Sequence, residues 1–339
     1  MSDSFSISNG CKQGMVLSAI LYCCYCSGLF KLLEQRRSGC WVNSDYMGIC
    51  GYSDDNLLLA PSLDSLQDML ETCEEYATSH NLHFSSDPNP RKSKTRCLAF
   101  QRKEKIPDRQ MKLCGNYLPW ERSGKHIGNK VITEKDIMRQ DVKEKRAKYI
   151  SKNNEICQEF HFAHPETKFK INSIWNSHWS GSVLWDLFSP ESEQVYATYN
   201  QSVKIMWNIP RSASRIFVEP LTGTRHLKKV LIKRFLSFVD SIKNSKKIAL
   251  KNLFKIVKSD CGSVTGRNLQ RIKLLVGKDS VEDLVPADCD SIKYFEMKQE
   301  DYWKLDMVRE ITDIKFGEAF IEGFSRDELK FFIMSAHHE

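Results

Sequence analysis

The stretch that decides the fold is residues 47–60, which read MGICGYSDDNLLLA. Two short apolar runs, Met47 to Tyr52 and Leu57 to Ala60, flank the four polar residues Ser53 to Asn56. Serine, aspartate and asparagine favour turns because their side chains form hydrogen bonds with nearby backbone groups. The pattern therefore predicts a β-hairpin with two adjacent aspartates at its tip.

Amphipathic helices are predicted on both sides of this hairpin. Apolar residues recur at intervals of three and four between Val16 and Gln35, which is typical of a helix with one buried face, and Gly39 is expected to end it. After the hairpin, Pro61-Ser62 is a helix-start signal, and a second apolar stripe follows it. The first third of the chain therefore combines helices with antiparallel strands.

Further strands are predicted beyond the second helix. Residues Cys97 to Phe100 favour a strand, and Met111 to Cys114 with Tyr117 to Trp120 favour a second hairpin joined by Gly115-Asn116. Pro119 places the last of these strands at an edge, because proline has no backbone N–H to donate. Helix, hairpin, helix, strand and hairpin in this order predict an α+β fold.

The chain changes character beyond Val131, where helical periodicity returns at Val195 to Trp207 and Leu227 to Val257. Residues 211–278 hold 17 Lys or Arg and only 3 acids, whereas residues 279–339 hold 7 basic and 16 acidic residues. Blocks of such contrast predict a basic nucleic-acid-binding face followed by an acidic C-terminal element. A solvated helix surface remains the alternative for both blocks. The tryptophans of this half favour core positions over base stacking.

Composition excludes several classes of protein. The 339-residue chain is 41% hydrophobic, which excludes wholesale disorder, and its net charge of +7 is compatible with a polyanionic partner. Its 12 cysteines lack the spacing of a disulfide framework. The longest apolar run, Val16 to Cys26, is shorter than the roughly 20 residues that span a bilayer, so no membrane partner is predicted.

The paired carboxylates of Asp54 and Asp55 suggest a divalent metal. Like charges a few ångströms apart oppose ionisation unless a cation neutralises them. Hard oxygen ligands suit Mg²⁺, which binds substrate phosphates together with one or two protein carboxylates. A turn that carries two aspartates only for its backbone geometry remains the alternative when the pair is considered alone.

Neighbouring motifs resemble those of one enzyme family. Tyr52 to Asp55 between apolar strands resembles the Tyr-x-Asp-Asp motif of reverse transcriptases, and Asn9 to Ser18 resembles that family's template-gripping and nucleotide-gripping motif. Asn89 to Ser93 is similar to the lysine motif that follows in non-LTR (LINE-type) retrotransposons, and Leu113 to Asn129 is similar to their primer-contacting hairpin and the segment that leads into the thumb. The resemblance covers residues 1 to about 130.

The resemblance implies roles for individual residues. Asp54 would be the main ligand of the catalytic metal and Asp55 its support, while Lys92 would protonate or stabilise the departing pyrophosphate in competition with Lys94. The residues that would contact the nucleotide or the template are Lys12, Gln13, Gly14, Tyr52 and Ser53. Two residues depart from the family pattern, since Ser53 stands where alanine is usual and Ala19 where proline is common.

The resemblance also implies an organisation and a reaction. A partial palm of a right-hand polymerase would occupy residues 1–130, a basic helical thumb and post-thumb region residues 131–278, and an acidic helical element residues 279–339. The complete enzyme would extend a DNA primer along an RNA template, using deoxynucleoside triphosphates and two Mg²⁺ ions. The family's other metal-binding aspartate comes from an earlier palm strand, so this chain alone is expected not to polymerise DNA. The alternative is a non-catalytic nucleic-acid-binding remnant of a retrotransposon.

Overall fold

The computed structural model of the protein describes residues 16–292, apart from residues 88, 90–91, 101–105, 134–136, 176–178, 212, 214 and 216–217. The predicted site residues Lys12, Gln13 and Gly14 therefore lie outside the described residues, as does residue 293 onward of the predicted acidic element. The chain divides into two compact units. Unit 1 comprises Met1–Ile137 and Lys247–Leu253, and unit 2 comprises Met138–Lys246 and Phe254–Glu339.

The described part of unit 1 combines two long helices with short strands. The elements are α1 (Ser18–Gln35), β1 (Trp41–Val42), β2 (Asp45–Tyr46), β3 (Ile49–Tyr52), β4 (Asp55–Leu58), α2 (Leu63–Ser79), β5 (Cys97–Leu98), β6 (Lys112–Leu113), β7 (Asn116–Tyr117), β8 (Trp120–Glu121), β9 (Ser123–His126) and β10 (Asn129–Ile132). Among the described residues these strands form five two-stranded sheets. Strands β5 and β8 run parallel, and the pairs β1–β2, β3–β4, β6–β7 and β9–β10 are antiparallel hairpins.

Helices α1 and α2 build the core that supports the first hairpins. Their buried side chains are Leu29, Leu33, Met69, Cys73 and Tyr76. The Ser62 side chain caps α2 by accepting a hydrogen bond from the backbone N–H of Ser65, as the helix-start signal predicts. The Tyr76 hydroxyl donates to the backbone carbonyl of Tyr25 at 2.6 Å and so ties α2 to α1. Both predicted helices are confirmed.

One stop residue and one turn differ from the sequence-based expectation. Helix α1 ends at Gln35, as the apolar stripe predicts, but the first residue after it in a left-handed conformation is Arg37, with φ of 57°, and not Gly39. The turn of the second hairpin is Cys114-Gly115, with φ of 50° and 74°, and Asn116 belongs to the following strand, where it pairs with Leu113. Two successive positive φ angles are the signature of the tight hairpin turn that matches strand twist.

Unit 2 is helical in its described part, as the periodicity beyond Val131 predicts. Its helices are α3 (Ile137–Glu159), α4 (Pro165–Trp175), α5 (Pro190–Met206), α6 (Val218–Thr222), α7 (Leu227–Lys243), α8 (Ile248–Val257, shared with unit 1) and α9 (Val264–Val276), with 3₁₀ turns at Ser182–Leu184 and Pro286–Asp290. The predicted single stretch from Leu227 to Val257 is thus two helices. Trp179 and Trp185 are buried in the core, so they occupy the core positions that the sequence favours.

The α7 helix is the centre of the unit 2 core. Its residues Leu231, Ile232 and Phe235 are fully buried, and they pack with apolar residues from α3, α5 and α9. The fully buried Asn268 of α9 accepts a hydrogen bond from the backbone N–H of Leu187 at 3.1 Å and donates to the Trp185 carbonyl at 2.7 Å. These bonds satisfy polar backbone that the core encloses. Within the described residues, no helix is long and apolar enough to cross a membrane.

Candidate active site

The paired aspartates lie at the tip of the β3–β4 hairpin. Tyr52 pairs with Asp55, so the loop between the strands consists of Ser53 and Asp54 alone. This turn is shorter than the four-residue turn that the sequence predicts, and Asp55 is the first residue of β4. Ser53 takes a left-handed conformation with φ of 56°. A small side chain at this position suits the tight turn, which fits the substitution of serine for the usual alanine.

The hairpin is held against helix α1 by one face. Ile49 and Leu58, which pair across the strands, pack into the core that α1 and α2 form. Gly51 lies on the same face, since side chains alternate along a strand. A Cβ atom at Gly51 would stand 2.4 Å from the Phe30 Cζ and 2.8 Å from the Asn56 Oδ1. Glycine therefore lets β3 approach α1 closely and fixes where the tip lies.

The opposite face of the hairpin carries the remaining predicted site residues of this motif. Tyr52 and Asp55 pair across the strands, so their side chains share the face that points away from α1. The Tyr52 side chain is 65% exposed, and Asp54 and Asp55 are exposed as well. An exposed tyrosine beside two exposed carboxylates can meet a large ligand such as a nucleic-acid end.

Asp54 lies near a tyrosine of α1 that sequence reasoning did not single out. Burial, a hydrogen bond with Cys26 and the nearby negative charge of Asp54 together raise the pKa of Tyr22 to about 12. The Tyr22 hydroxyl therefore stays protonated at neutral pH, next to the aspartate that the resemblance assigns to the metal. Its proximity to Asp54 arises from tertiary packing, and an apolar helical stripe gives no signal of it.

Lys92 lies in a separate turn of unit 1. Its backbone N–H donates to the Asn89 carbonyl at 2.9 Å, and its side chain is exposed. The next residue, Ser93, is buried and its hydroxyl donates to the Thr95 carbonyl at 2.9 Å, which anchors the turn. In the described structure, Lys92 forms no ion pair with Asp54 or Asp55. The pyrophosphate role of Lys92 stays a prediction, with Lys94, also exposed, still its competitor.

The donor set at the hairpin tip fits one side of a magnesium site. Asp54 and Asp55 provide exposed carboxylate oxygens, the hard donors that Mg²⁺ prefers. Among the described residues, no group of three or more His, Cys, Asp or Glu side chains could hold a metal ion. Two carboxylates suffice only if substrate phosphates, water or further protein ligands complete the shell, as is usual for Mg²⁺ in phosphoryl-transfer sites.

Comparison with known proteins bears on the N-terminal part of the chain. Residues 2–129 match the family model described as reverse transcriptase (RNA-dependent DNA polymerase). The matched segment contains the β3–β4 hairpin and Lys92, and it ends within one residue of the boundary that the motifs predict. The resemblance is therefore confirmed at the level of a reverse transcriptase domain. Searches of curated proteins and of solved structures found no match.

Proposed function

We propose that this chain is part of an RNA-directed DNA polymerase of the non-LTR, LINE-type branch. In the complete enzyme its hairpin contributes metal-binding carboxylates to nucleotidyl transfer. The primer 3′ hydroxyl attacks the α-phosphorus of a deoxynucleoside triphosphate, and pyrophosphate leaves. The substrates are an RNA template and a DNA primer.

The observation that carries this proposal is the hairpin tip. Within the segment that matches the family model, Asp54 and Asp55 stand exposed on a two-residue turn whose position Gly51 and α1 fix. Together with the family match, the exposed carboxylate pair favours a metal-binding turn over one that serves only its own backbone geometry. Two Mg²⁺ ions would activate the attacking hydroxyl and stabilise the leaving oxygens.

Individual residues would take the roles that the family resemblance implies. Asp54 would hold metal from the turn, and Asp55 would support it from the start of β4. Tyr52, on the same face as Asp55, contacts the primer end through its exposed ring. Gln13 and Gly14, together with Lys12, contact the template and the incoming nucleotide by the family resemblance.

Unit 2 is proposed as the thumb-like region. Ion pairs neutralise part of its basic charge, so fewer basic residues are available to bind phosphate than a count along the sequence indicates. Several basic residues of the 211–278 block form ion pairs with acids that lie within or outside the block. The pairs are Lys228–Glu193, Lys229–Glu219, Lys258–Glu282, Lys278–Asp288 and both Arg267 and Arg271 with Asp186. The exposed Arg211, Lys246 and Lys255 are the better candidates for phosphate contacts.

Primer extension on an RNA template tests the proposal. Because the resemblance assigns the other metal-binding aspartate to an earlier strand, the assay joins this chain to the upstream palm segment of a LINE-type reverse transcriptase. Asp54→Asn should reduce the extension rate at least about 1000-fold, in the range of losses typical of an essential catalytic group, and leave template binding intact.

The matched control is Asp68→Asn, the same change at an exposed aspartate on α2, which should extend primers at the normal rate. Normal extension by Asp54→Asn, or equal loss in both variants, would refute the assigned role.

A further inference from the structure

A cavity inside unit 2 has the chemistry of a nucleotide site. Its volume is about 320 Å³, which lies within the range of small-molecule pockets. The helices α3, α4, α5 and α7 line it, together with the loop before α7 and Trp179. It lies wholly outside the segment that matches the family model.

The inner part of the cavity is aromatic. Tyr149, Trp179 and Tyr199 line it and are each at least nine-tenths buried. The ring centroids of Tyr149 and Trp179 are 4.9 Å apart, and those of Tyr149 and Tyr199 are 6.2 Å apart. Tyr149 is only 1% exposed and packs against both other rings, whereas Trp179 and Tyr199 keep 6% and 8% of their surface open, so their open edges can contact a flat heterocycle.

Asn172, which lines the cavity, has a buried amide oxygen without a hydrogen-bond partner among the described residues. Asn172 is only 3% exposed, and its Nδ2 donates to the Tyr149 hydroxyl at 3.4 Å and to the Asn153 Oδ1 at 3.3 Å. Its Oδ1 accepts no hydrogen bond from any described residue. An unpaired buried acceptor costs about 1–3 kcal/mol, so a ligand that donates a hydrogen bond here gains affinity. The amino group of a nucleobase is such a donor.

The rim of the cavity is cationic. Arg225 and Arg234 line it, and both side chains are exposed. Guanidinium groups bind phosphate through paired hydrogen bonds. The buried wall thus suits a base, and the exposed rim suits the phosphate attached to it.

We propose that this cavity binds one nucleotide, with its base against Trp179 and Tyr199, its amino group donating to the Asn172 Oδ1, and its phosphate on Arg225 and Arg234. The proposal goes beyond the polymerase function and does not depend on it, because it uses none of the residues to which that function is assigned. The nucleotide is either free or an unstacked residue of a single strand. Both sources present the same base and phosphate.

Equilibrium dialysis of the full chain with adenosine monophosphate tests the proposal. EDTA is present, so that a metal-dependent site at the β3–β4 hairpin makes no contribution. We expect saturable binding with a Kd below about 1 mM. N6,N6-dimethyl adenosine monophosphate, which lacks the donor hydrogens, and ribose 5-phosphate, which lacks the base, should bind at least about tenfold more weakly.

Three variants locate the binding. Asn172→Leu should weaken adenosine monophosphate about tenfold, and Arg234→Gln should weaken it about tenfold while leaving adenosine itself unaffected, since one group contacts the base and the other the phosphate. Lys233→Gln is the matched control, because Lys233 is the exposed neighbour of Arg234 on α7 but does not line the cavity. Should Asn172→Leu fail to fold, Arg234→Gln against Lys233→Gln decides the question.

A single-stranded oligoadenylate distinguishes the two sources of the nucleotide. Tighter binding of the strand than of the monophosphate, weakened by Asn172→Leu, identifies the strand as the ligand, and equal binding identifies the free nucleotide. No binding of either ligand by the unaltered chain would overturn the proposal. Equal weakening by Lys233→Gln, or none by Asn172→Leu and Arg234→Gln, would also overturn it. Binding lost in these two variants but kept in Asp54→Asn separates this site from the proposed polymerase site.

Discussion

Units 1 and 2 bury their apolar side chains in contrasting ways. In the described part of unit 2, α7 is surrounded by other helices, and residues such as Phe235 are fully buried in one continuous core. Unit 1 instead divides its buried residues between two small clusters, one under the β3–β4 hairpin and the other under β5, β6 and β8. Its strands pair only two by two among the described residues.

The contrast extends to the surfaces. The first turns of α1 expose Leu17, Ile20 and Leu21 by about 60% each, and Tyr52 at the hairpin tip is exposed to a similar extent. In unit 2 the aromatic residues of the cavity are enclosed. The candidate metal ligands thus lie on the exposed surface of unit 1, where a large substrate can reach them. The candidate nucleotide cavity instead lies within the core of unit 2 and suits a small group.

The largest effect that this contrast predicts concerns core substitutions. Phe235→Ala should reduce the free energy of unfolding by about 3–5 kcal/mol, because it removes a fully buried ring from a core that cannot collapse around the gap. Leu21→Ala, on the exposed face of α1, should change it by less than about 0.5 kcal/mol. Urea titrations followed by circular dichroism measure both. A large loss for Leu21→Ala would show that the face of α1 is covered.

The second prediction concerns the pH dependence of unit 2. Burial, together with the positive charges of Lys228, Arg215 and Lys229, lowers the pKa of His226 to about 4. The neutral ring also caps α7, since its Nδ1 accepts from the Lys228 backbone N–H at 3.3 Å. His226 therefore takes up a proton near pH 6.5 in the unfolded chain but only near pH 4 in the folded chain. Stability should be full above pH 6.5 and fall toward pH 4.

For a pKa shift of this size, the free energy of unfolding should fall by about 1–3 kcal/mol between pH 6.5 and pH 4. His226→Asn keeps an acceptor for the cap and removes the titration, so its melting temperature should fall less between pH 6.5 and pH 4 than that of the unaltered protein. An equal fall in melting temperature for the two proteins would contradict the role assigned to His226. Other groups that titrate in this range cancel in the difference.

A smaller effect is predicted at the hairpin of unit 1. Gly51→Ala should lower the free energy of unfolding by about 1–2 kcal/mol, because its Cβ would overlap the Phe30 ring and force a shift. Gly124→Ala is the matched control in another strand, where the nearest atom to the new Cβ is the Leu98 Cδ1 at 3.4 Å. That variant should be as stable as the original or slightly more so. Equal losses would mean that the hairpin does not depend on close packing against α1.

Much of unit 1 could be predicted from the sequence, because its signals are local. The α1 stripe, the Ser62 cap and the polar turn between two apolar runs each depend on residues close together in the chain. The sequence does not predict the hairpin at Ile127-Gly128, since an isoleucine with φ of 48° is rare in a turn. Nor does it predict the short β1–β2 hairpin.

The sequence predicts the candidate metal site but not the candidate nucleotide cavity. Asp54 and Asp55 are adjacent and carry a specific motif, so the sequence alone identifies them. Asn172 and Arg234 come together only when α4 and α7 pack, and neither residue belongs to a local pattern. The ion pairs that reduce the charge of the basic block, such as Lys228 with Glu193, are likewise tertiary. A charge count along the sequence overstates what remains for phosphate.

The most direct test of the account is to locate the metal on the chain itself. Fe²⁺ bound in place of Mg²⁺ generates hydroxyl radicals with ascorbate and peroxide, and these cut the backbone beside the ion, since Fe²⁺ accepts the same carboxylate ligands. We predict cleavage between residues 52 and 56 that excess Mg²⁺ suppresses, that Asp54→Asn abolishes, and that Asp68→Asn leaves unchanged. Cleavage elsewhere only, or cleavage at the hairpin that survives Asp54→Asn, would contradict the account.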